Sequence, residues 1–242
     1  MSPARREPGD AMRIPLMRAA AWSREPLPGL SGEGFLEAAV GAPDAASVAP
    51  LLRRRLSALG KGMIHCAARA SDGQGPLRSV FASQHGEPAR VLPMLEDLAA
   101  GLDISPTQFS MNVHNAVAGI WSIARQDRSA GTAVGAGPES FGWGLTEAFG
   151  LHQADGEPVL FVFGDDALPE LFASQTRLQA PLHAVGLLIG LPAARWLAVE
   201  RDASADAAEP ALPQSLHALL TLSGGAPGAW SGPRGAWAFT LE

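Results

Sequence analysis

The sequence predicts a three-layer α/β/α protein built on a mixed, mostly parallel sheet. Helix-like and strand-like segments alternate along the chain, and an apolar run at residues 157–164 is bounded by turn residues, as in a strand covered on both faces. The 242 residues, 47% of them hydrophobic, can bury one sizeable core. A single domain over residues 12–242 is therefore expected, with residues 1–11 as a polar, disordered leader.

Four elements are expected in the first half of the chain from apolar periodicity and turn signals. In order, they are a helix at residues 51–70, a strand at 78–83, a helix at 89–100 and a helix at 110–125. The run Arg53, Arg54 and Arg55 is interpreted as a solvated face of the first helix.

The second half predicts strands separated by two further helices. In order, they are a strand at residues 132–134, a tight connection at 135–138, a helix at 139–149 closed by Gly150, strands at 157–164, 183–190 and 195–200, a helix at 213–222 and a strand at 235–241. Helices and strands that alternate through short links favour helices on both faces of the sheet.

Composition excludes several classes of function. The 24 acidic and 18 basic residues give a net charge of −6, with no basic stripe for a nucleic acid. The longest uncharged stretch of the second half, residues 184–194, is too short to span a bilayer. The one cysteine and the lack of a secretory signal pattern predict a reducing, cytoplasmic location.

Two motifs around residues 135–142 compete for a chemical role. Gly135, Gly137 and Ser140 form the G-x-G-x-x-S of a phosphate-binding turn, but Pro138 removes one of its amides. Ser140 also lies in a G-x-S-x-G serine turn whose first glycine is replaced by proline. A serine hydrolase or acyltransferase that uses Ser140 therefore stays open as an alternative. Its base would be one of three histidines, His152, His183 or His217.

Metal and cofactor sites find little support. Asp165, Asp166 and Glu170 follow a buried strand, where carboxylates could hold a hard cation, but such residues more often end the strand and cap a turn. The histidines and the cysteine show no zinc spacing. Cys66, among apolar neighbours, is interpreted as a small core residue. We expect no metal and no cofactor.

Two stretches resemble β-ketoacyl synthases: LLRRRLSALGKGMIHCA, residues 51–67, and FSMNVHNAVAGIWSIARQDRSAGTAVGAGPES, residues 109–140. In that family N-x-x-A-G opens a helix, and a later strand delivers a nucleophilic cysteine. Asn115, Ala118 and Gly119 fall on the N-x-x-A-G positions. The resemblance covers most of residues 50–170 and implies one half of a thiolase-like fold. It extends to the short chain-length-factor-type proteins of aryl polyene and xanthomonadin-like pigment assembly.

The resemblance implies that the chain has no catalytic residue of its own. Aligned without a gap, the family's cysteine position falls on Pro138, with Gly137 and Glu139 as one-residue alternatives. None of these side chains can attack a thioester. The family's two other catalytic residues lie in the C-terminal half of the thiolase fold, which this chain is expected to lack.

The resemblance also implies partners. The segment before N-x-x-A-G lies at the family's dimer interface, where it reaches the neighbouring subunit's acyl tunnel. By position the tunnel-end residues are Gln108, Phe109, Met111, Asn112, His114 and Asn115. They would limit chain length sterically or only pack the helix N-terminus. The expected partners are a catalytic β-ketoacyl synthase, paired through the face near residues 105–123, and, transiently, an acyl carrier protein. An acyl-carrier-binding scaffold stays open as a second alternative.

Overall fold

The computed structural model describes residues 11–30, 34–174, 178–206 and 210–242. The described residues form nine strands, numbered in chain order and joined in one sheet. They are β1 (Met12–Ser23), β2 (Leu36–Val40), β3 (Arg78–Ala82), β4 (Gly131–Val134), β5 (Val159–Asp165), β6 (His183–Ile189), β7 (Arg195–Asp202), β8 (Gly228–Gly232) and β9 (Gly235–Leu241).

The α-helices of the described residues are likewise numbered in chain order. They are α1 (Pro50–Arg53), α2 (Ala58–Ala70), α3 (Pro88–Ala99), α4 (Pro106–Ser110), α5 (Ala116–Arg125), α6 (Ser140–Asp155), α7 (Glu170–Ala173) and α8 (Gln214–Leu222). A single 3-10 turn at Gly137–Glu139 leads directly into α6. None of the described helices is both long and apolar enough to cross a membrane.

The sheet is mixed. Its strands lie in the order β4-β3-β5-β6-β1-β7-β9-β8, and β2 pairs with β1 outside this path. At one end β4, β3 and β5 are parallel neighbours; the pair of β1 and β2 is also parallel, and the other five described pairs are antiparallel. Six described strands, β1 to β5 and β9, share one direction. The prediction of a mixed, mostly parallel sheet is thus confirmed in that most of the described strands run in one direction, although most neighbouring pairs are antiparallel.

Helices cover both faces of the sheet. On one face α2 and α5 bury Ile64 and Trp121 in a core shared with strand residues such as Leu188. On the other face α6 and α8 bury Phe141 and Leu219 in a second core. The predicted three-layer α/β/α architecture, one half of a thiolase-like fold, is confirmed.

The backbone of α2 lies directly on β6 at Gly186. A Cβ atom built there would lie 2.5 Å from the carbonyl oxygen of Cys66, closer than side-chain carbons approach a carbonyl. Cys66 is itself fully buried at this contact, which confirms its interpretation as a core residue. Helix and sheet therefore meet where only a hydrogen atom fits.

The predicted helix over residues 51–70 is wrong for residues 54–57. Helix α1 ends at Arg53, and Ser57 caps α2, its Oγ accepting a 2.8 Å hydrogen bond from the Gly60 amide. Arg54 and Arg55 therefore lie in an exposed turn and not on a helix face.

The predicted helix over residues 110–125 is wrong for residues 111–115, which separate α4 from α5. Asn112 and Asn115 fall in this break, and asparagine favours turns because its side chain competes for backbone hydrogen bonds. Val113, expected in the apolar stripe of the helix, is instead exposed.

Helix α6 runs beyond its predicted end. Gly150 is an exposed residue inside the helix, which continues to Asp155 and ends at Gly156 with a φ of +78°. This left-handed conformation is one that glycine adopts at little cost.

Three strands, β1, β2 and β8, were missing from the prediction. Strand β1 pairs with β6 and β7 along its edges and contributes residues to the cores on both faces of the sheet. Its sequence therefore shows no polar alternation. Residues 1–10 of the expected leader lie outside the described residues. The domain boundaries stay a prediction.

Candidate functional site

The expected nucleophile position lies at the N-terminus of α6. Strand β4 forms one edge of the described sheet, and the chain leaves it through Gly135 and Ala136 into the 3-10 turn. Gly137 has a φ of +60°, and both Gly137 and Pro138 are exposed. A helix N-terminus stabilises an anion. This setting suits a nucleophile, but no thiol is placed there.

Glu139, the third residue of the turn, is fully buried in a clamp of cations and indoles. Arg234 Nε donates to its Oε1 at 3.1 Å, and Arg201 Nε lies 3.8 Å from its Oε2. The indole nitrogens of Trp143 and Trp237 donate to the same Oε2 at 3.1 and 3.3 Å. The two guanidinium groups balance the negative charge of the carboxylate, and these contacts together fix its position.

The clamp closes over the start of α6. The Arg201 guanidinium lies 5.0 Å from the ring centroid of Trp143 and 5.6 Å from that of Trp237. Arg234 also donates to the carbonyl oxygen of Ala136 at 2.7 Å. Strands β7 and β9 and the turn between β8 and β9 thus hold the segment at which the sequence predicts the family's cysteine position. We call Glu139, Trp143, Arg201, Arg234 and Trp237 the Glu139 clamp.

Ser140 stabilises the turn, and among the described residues its hydroxyl bonds neither His152, His183 or His217 nor a carboxylate. Its hydroxyl donates to the carbonyl oxygen of Gly137 at 2.7 Å and accepts from the Ala136 amide at 2.8 Å. Among hydrogen bonds of the described residues, His152 pairs with the Glu157 carbonyl and His183 with Ser215 Oγ. The structure therefore does not bring these histidines to Ser140.

Cys66 is not placed for catalysis either. Burial raises the pKa of the Cys66 thiol, so it stays protonated at neutral pH. A protonated thiol is a poor nucleophile, and Cys66 lies on α2 against β6 rather than at a helix tip.

The six expected tunnel-end residues do not form one cluster. Gln108 and Phe109 are exposed on α4, and Asn115 is exposed at the start of α5. Met111 packs against the core beneath α2 and α5. Asn112 and His114 line a cleft.

This cleft has an apolar floor and a polar rim. It is narrow, with a volume of about 20 Å³, and part of it is open to solvent. The residues that line it are Leu59, Met63, Phe81, Ala82, Ser83, Gly86, Glu87, Asn112, Val113, His114 and Val117. Asn112 Nδ2 contacts Met94 Sδ at 3.0 Å, while its buried Oδ1 accepts no hydrogen bond from the described residues.

Six large apolar side chains are exposed between residues 95 and 123. We call them the α3–α5 surface: Leu95, Leu98, Leu102, Phe109, Val113 and Ile123. They lie on α3, α4 and α5 and on the segments that join these helices, and Val113 also lines the cleft. Removing such side chains from water is favourable.

Asp165 ends β5 and accepts three hydrogen bonds through one oxygen. The donors are Ser83 Oγ at 2.9 Å, the Gln84 amide at 3.1 Å and the His85 amide at 3.2 Å. Burial raises the pKa of Asp165 to about 7, against the lowering effect of these bonds. No group of three potential ligand side chains for a metal occurs in the described residues. The interpretation of Asp165 as a strand-end, turn-capping residue is supported.

Comparisons with known proteins extend the resemblance. The family model "Beta-ketoacyl synthase, N-terminal domain" matches residues 20–239, so the expected limit near residue 170 was wrong. A chain of the solved "Ketosynthase (ApeO) in Complex with its Chain Length Factor (ApeC) from Xenorhabdus doucetiae" is 28% identical, with a TM-score of 0.77, covering 95% of this chain and 99% of that chain. No curated protein matches.

Two further solved structures share the fold at low identity. "The ishigamide ketosynthase/chain length factor" is 14% identical with a TM-score of 0.50, covering 82% of this chain and 66% of that chain. A β-ketoacyl synthase from Burkholderia phymatum STM815 is 12% identical with a TM-score of 0.51, covering 73% of this chain and 54% of that chain. The chain thus spans about half to two thirds of these two proteins.

Proposed function

Because the chain belongs to the β-ketoacyl synthase N-terminal domain family, we propose that it is the non-catalytic chain length factor of a catalytic β-ketoacyl synthase, with which it forms a heterodimer. The observation on which this proposal depends is the Glu139 clamp: the position of the nucleophile holds Gly137, Pro138 and a carboxylate that is already bound. The similarity to a solved ketosynthase and chain length factor pair agrees with it.

The clamp argues against catalysis on chemical grounds. Condensation needs a thiolate that attacks an acyl thioester and donors that stabilise the developing oxyanion. Here the N-terminus of α6 lies beside a carboxylate that is paired with Arg234 and two indoles. A carboxylate held in this way is neither free to attack nor able to form a thioester. Ser140 is not favoured instead, since its hydroxyl bonds only backbone groups in the structure.

The α3–α5 surface supports the heterodimer. Three of its exposed apolar side chains lie within the predicted contact face at residues 105–123 and three precede it in the chain, and the neighbouring edge strand β4 pairs on one side only in the described sheet. A ketosynthase that covers this surface would remove the apolar side chains from water, at about 25 cal/mol for each Å² buried. It would also satisfy the open edge of β4.

The length-limiting role would act through the same surface. Phe109 is 59% exposed, so its ring can reach into a neighbouring subunit. A ring at the end of an acyl tunnel makes each further extension overpack, which typically costs 1–3 kcal/mol. The growing chain, in our proposal a polyene carried on an acyl carrier protein, would therefore stop at a preferred length. Location in the cytoplasm belongs to the same proposal.

Co-expression with the candidate ketosynthase tests the pairing. We expect the two chains to co-purify in equal amounts and the isolated chain to form no acyl-enzyme from an acyl thioester. A chain that stays monomeric beside the enzyme contradicts the pairing. Labelling of Ser140 by a fluorophosphonate would establish the hydrolase alternative in its place.

Phe109→Ala tests the length limit. In the intact heterodimer this change should shift the products to longer chains, because the tunnel loses a bulky end. Leu191→Ala is the matched control. Leu191 is also 59% exposed, and it follows the end of β6 that pairs with the start of β5, away from the cleft. Product lengths that stay unchanged in Phe109→Ala, with the heterodimer intact, leave a scaffold role only.

A further inference from the structure

We infer that Asp165 is a positioning residue for chain length: it shapes the cleft from behind one wall, without lining it. The inference rests on the proposed function, in which the end of the growing acyl group meets this side of the protein. It follows from the hydrogen bonds of residues 83–87, the segment between β3 and α3, which we call the wall segment.

The wall segment forms one side of the cleft. Ser83, Gly86 and Glu87 line it, opposite Asn112 and His114. The approach is close: a Cβ atom on Gly86 would lie 3.3 Å from His114 Nδ1, and Gly86 has a φ of +67°. A small displacement of this segment therefore changes the width of the cleft directly.

Asp165 holds the middle of the wall segment. Its Oδ1 accepts from two successive backbone amides, those of Gln84 and His85, and from the hydroxyl of Ser83. The Ser83 oxygen in turn accepts from the Gly86 amide at 2.8 Å. Asp165 is almost completely buried and is not among the residues that line the cleft. Its hydrogen bonds thus link the carboxyl end of β5 to the surface that faces the acyl chain.

The two ends of the wall segment are anchored elsewhere. Glu87 Oε1 accepts a 2.7 Å hydrogen bond from Ser57 Oγ at the cap of α2. His114 Nε2 lies 3.2 Å from the Ser83 carbonyl oxygen. Removing the Asp165 oxygen would free the middle of the segment while its ends stay attached. The freed amides must find water, since a buried donor without an acceptor is unfavourable. The wall would then move although every lining side chain is unchanged.

The test compares Asp165→Ala, Asp165→Asn and Asp166→Ala in the purified heterodimer. Asparagine keeps an oxygen at Oδ1 and should retain the product lengths of the wild type. Asp166 Oδ1 accepts only from the Ala167 amide in the structure, so Asp166→Ala is the control for losing a neighbouring carboxylate. Products are measured by mass spectrometry at equal heterodimer concentration.

In Asp165→Ala, the amount of the product that is one extension longer, divided by the amount of the wild-type product, should rise about fivefold. One methylene changes discrimination roughly tenfold or more in an enclosed apolar pocket, and this cleft is partly open. A merely structural role would lower the amount of heterodimer and leave the ratio unchanged. Where Asp165→Ala yields too little heterodimer, Asp165→Leu decides, because leucine fills the space of the side chain and accepts no hydrogen bond from the wall segment.

Val113→Ala separates failure of this inference from failure of the proposed function. Val113 lines the cleft itself. A shift in Val113→Ala with none in Asp165→Ala or Asp165→Leu overturns the inference and leaves the length-limiting role in place. No shift in any of the three overturns the inference, and no shift in Phe109→Ala as well, with the heterodimer intact, overturns the length-limiting role.

Discussion

Replacing Glu139 with alanine should lower the free energy of unfolding of the isolated chain by about 3 kcal/mol. The buried indole N–H of Trp237 loses its acceptor, and a buried donor left unsatisfied costs roughly 1–3 kcal/mol. The indole N–H of Trp143 loses its acceptor as well, but Trp143 is 37% exposed and water can replace part of that hydrogen bond. The Arg201 side chain, 26% exposed, also loses its counter-ion. The Arg234 side chain is 56% exposed and can turn to water, so its ion pair adds little.

Urea unfolding followed by circular dichroism measures this loss. A decrease of about 3 kcal/mol moves the midpoint by roughly 1 M or more at an unchanged m-value. Glu147→Ala, at an exposed position of the same helix, is the control and should change the stability by less than about 0.5 kcal/mol. A loss below about 1 kcal/mol in Glu139→Ala would show that the clamp is an exposed ion-pair cluster and that our account of the turn is wrong.

Three further changes test the rest of the structure. Gly186→Ala should destabilise the chain by about 2 kcal/mol or more, because the added Cβ meets the α2 backbone. Gly150 has open space around it, so Gly150→Ala should stabilise the chain by roughly 0.5–1 kcal/mol. Equal thermal midpoints for the two variants would refute the close contact. Ser57→Ala should cost about 1 kcal/mol through loss of the α2 cap, and an unchanged urea midpoint would contradict this. Burial raises the pKa of Asp165 to about 7, so in weakly acidic solution the folded chain keeps a proton that the unfolded chain has released. The stability of the wild type relative to Asp165→Asn should therefore fall by about 2 kcal/mol between about pH 5 and 7, and a difference independent of pH would exclude a raised pKa.

Local sequence patterns predicted the outline of the site. The apolar run that became β5, the helix that became α8 and the turn before α6 all lie where expected, because periodicity and turn residues are local signals. The nucleophile position, expected at residues 137–139, stays a prediction; these residues form the turn at the start of α6. The break after Arg53 was not predicted, since an apolar stripe runs through it and only the cap of Ser57 shows that a new helix begins.

The Glu139 clamp could not be predicted in this way. Arg201, Arg234 and Trp237 join Glu139 from 62 to 98 positions further along the chain, and only the pairing of β7 with β9 brings them together. One signal was present: six tryptophans and no tyrosine. Such a composition alone indicates packing residues, whereas two of these tryptophans donate hydrogen bonds to a buried carboxylate.

The parallel end of the sheet carries the candidate site. The wall segment, the turn before α6 and Asp165 all lie at the carboxyl ends of three neighbouring strands, β3, β4 and β5. The antiparallel strands on the other side supply most of the pairing that keeps the sheet in register. Loops at this rim could therefore change in length and composition while the scaffold stays the same. Under the proposed function, such changes would alter the preferred product length and leave the fold intact.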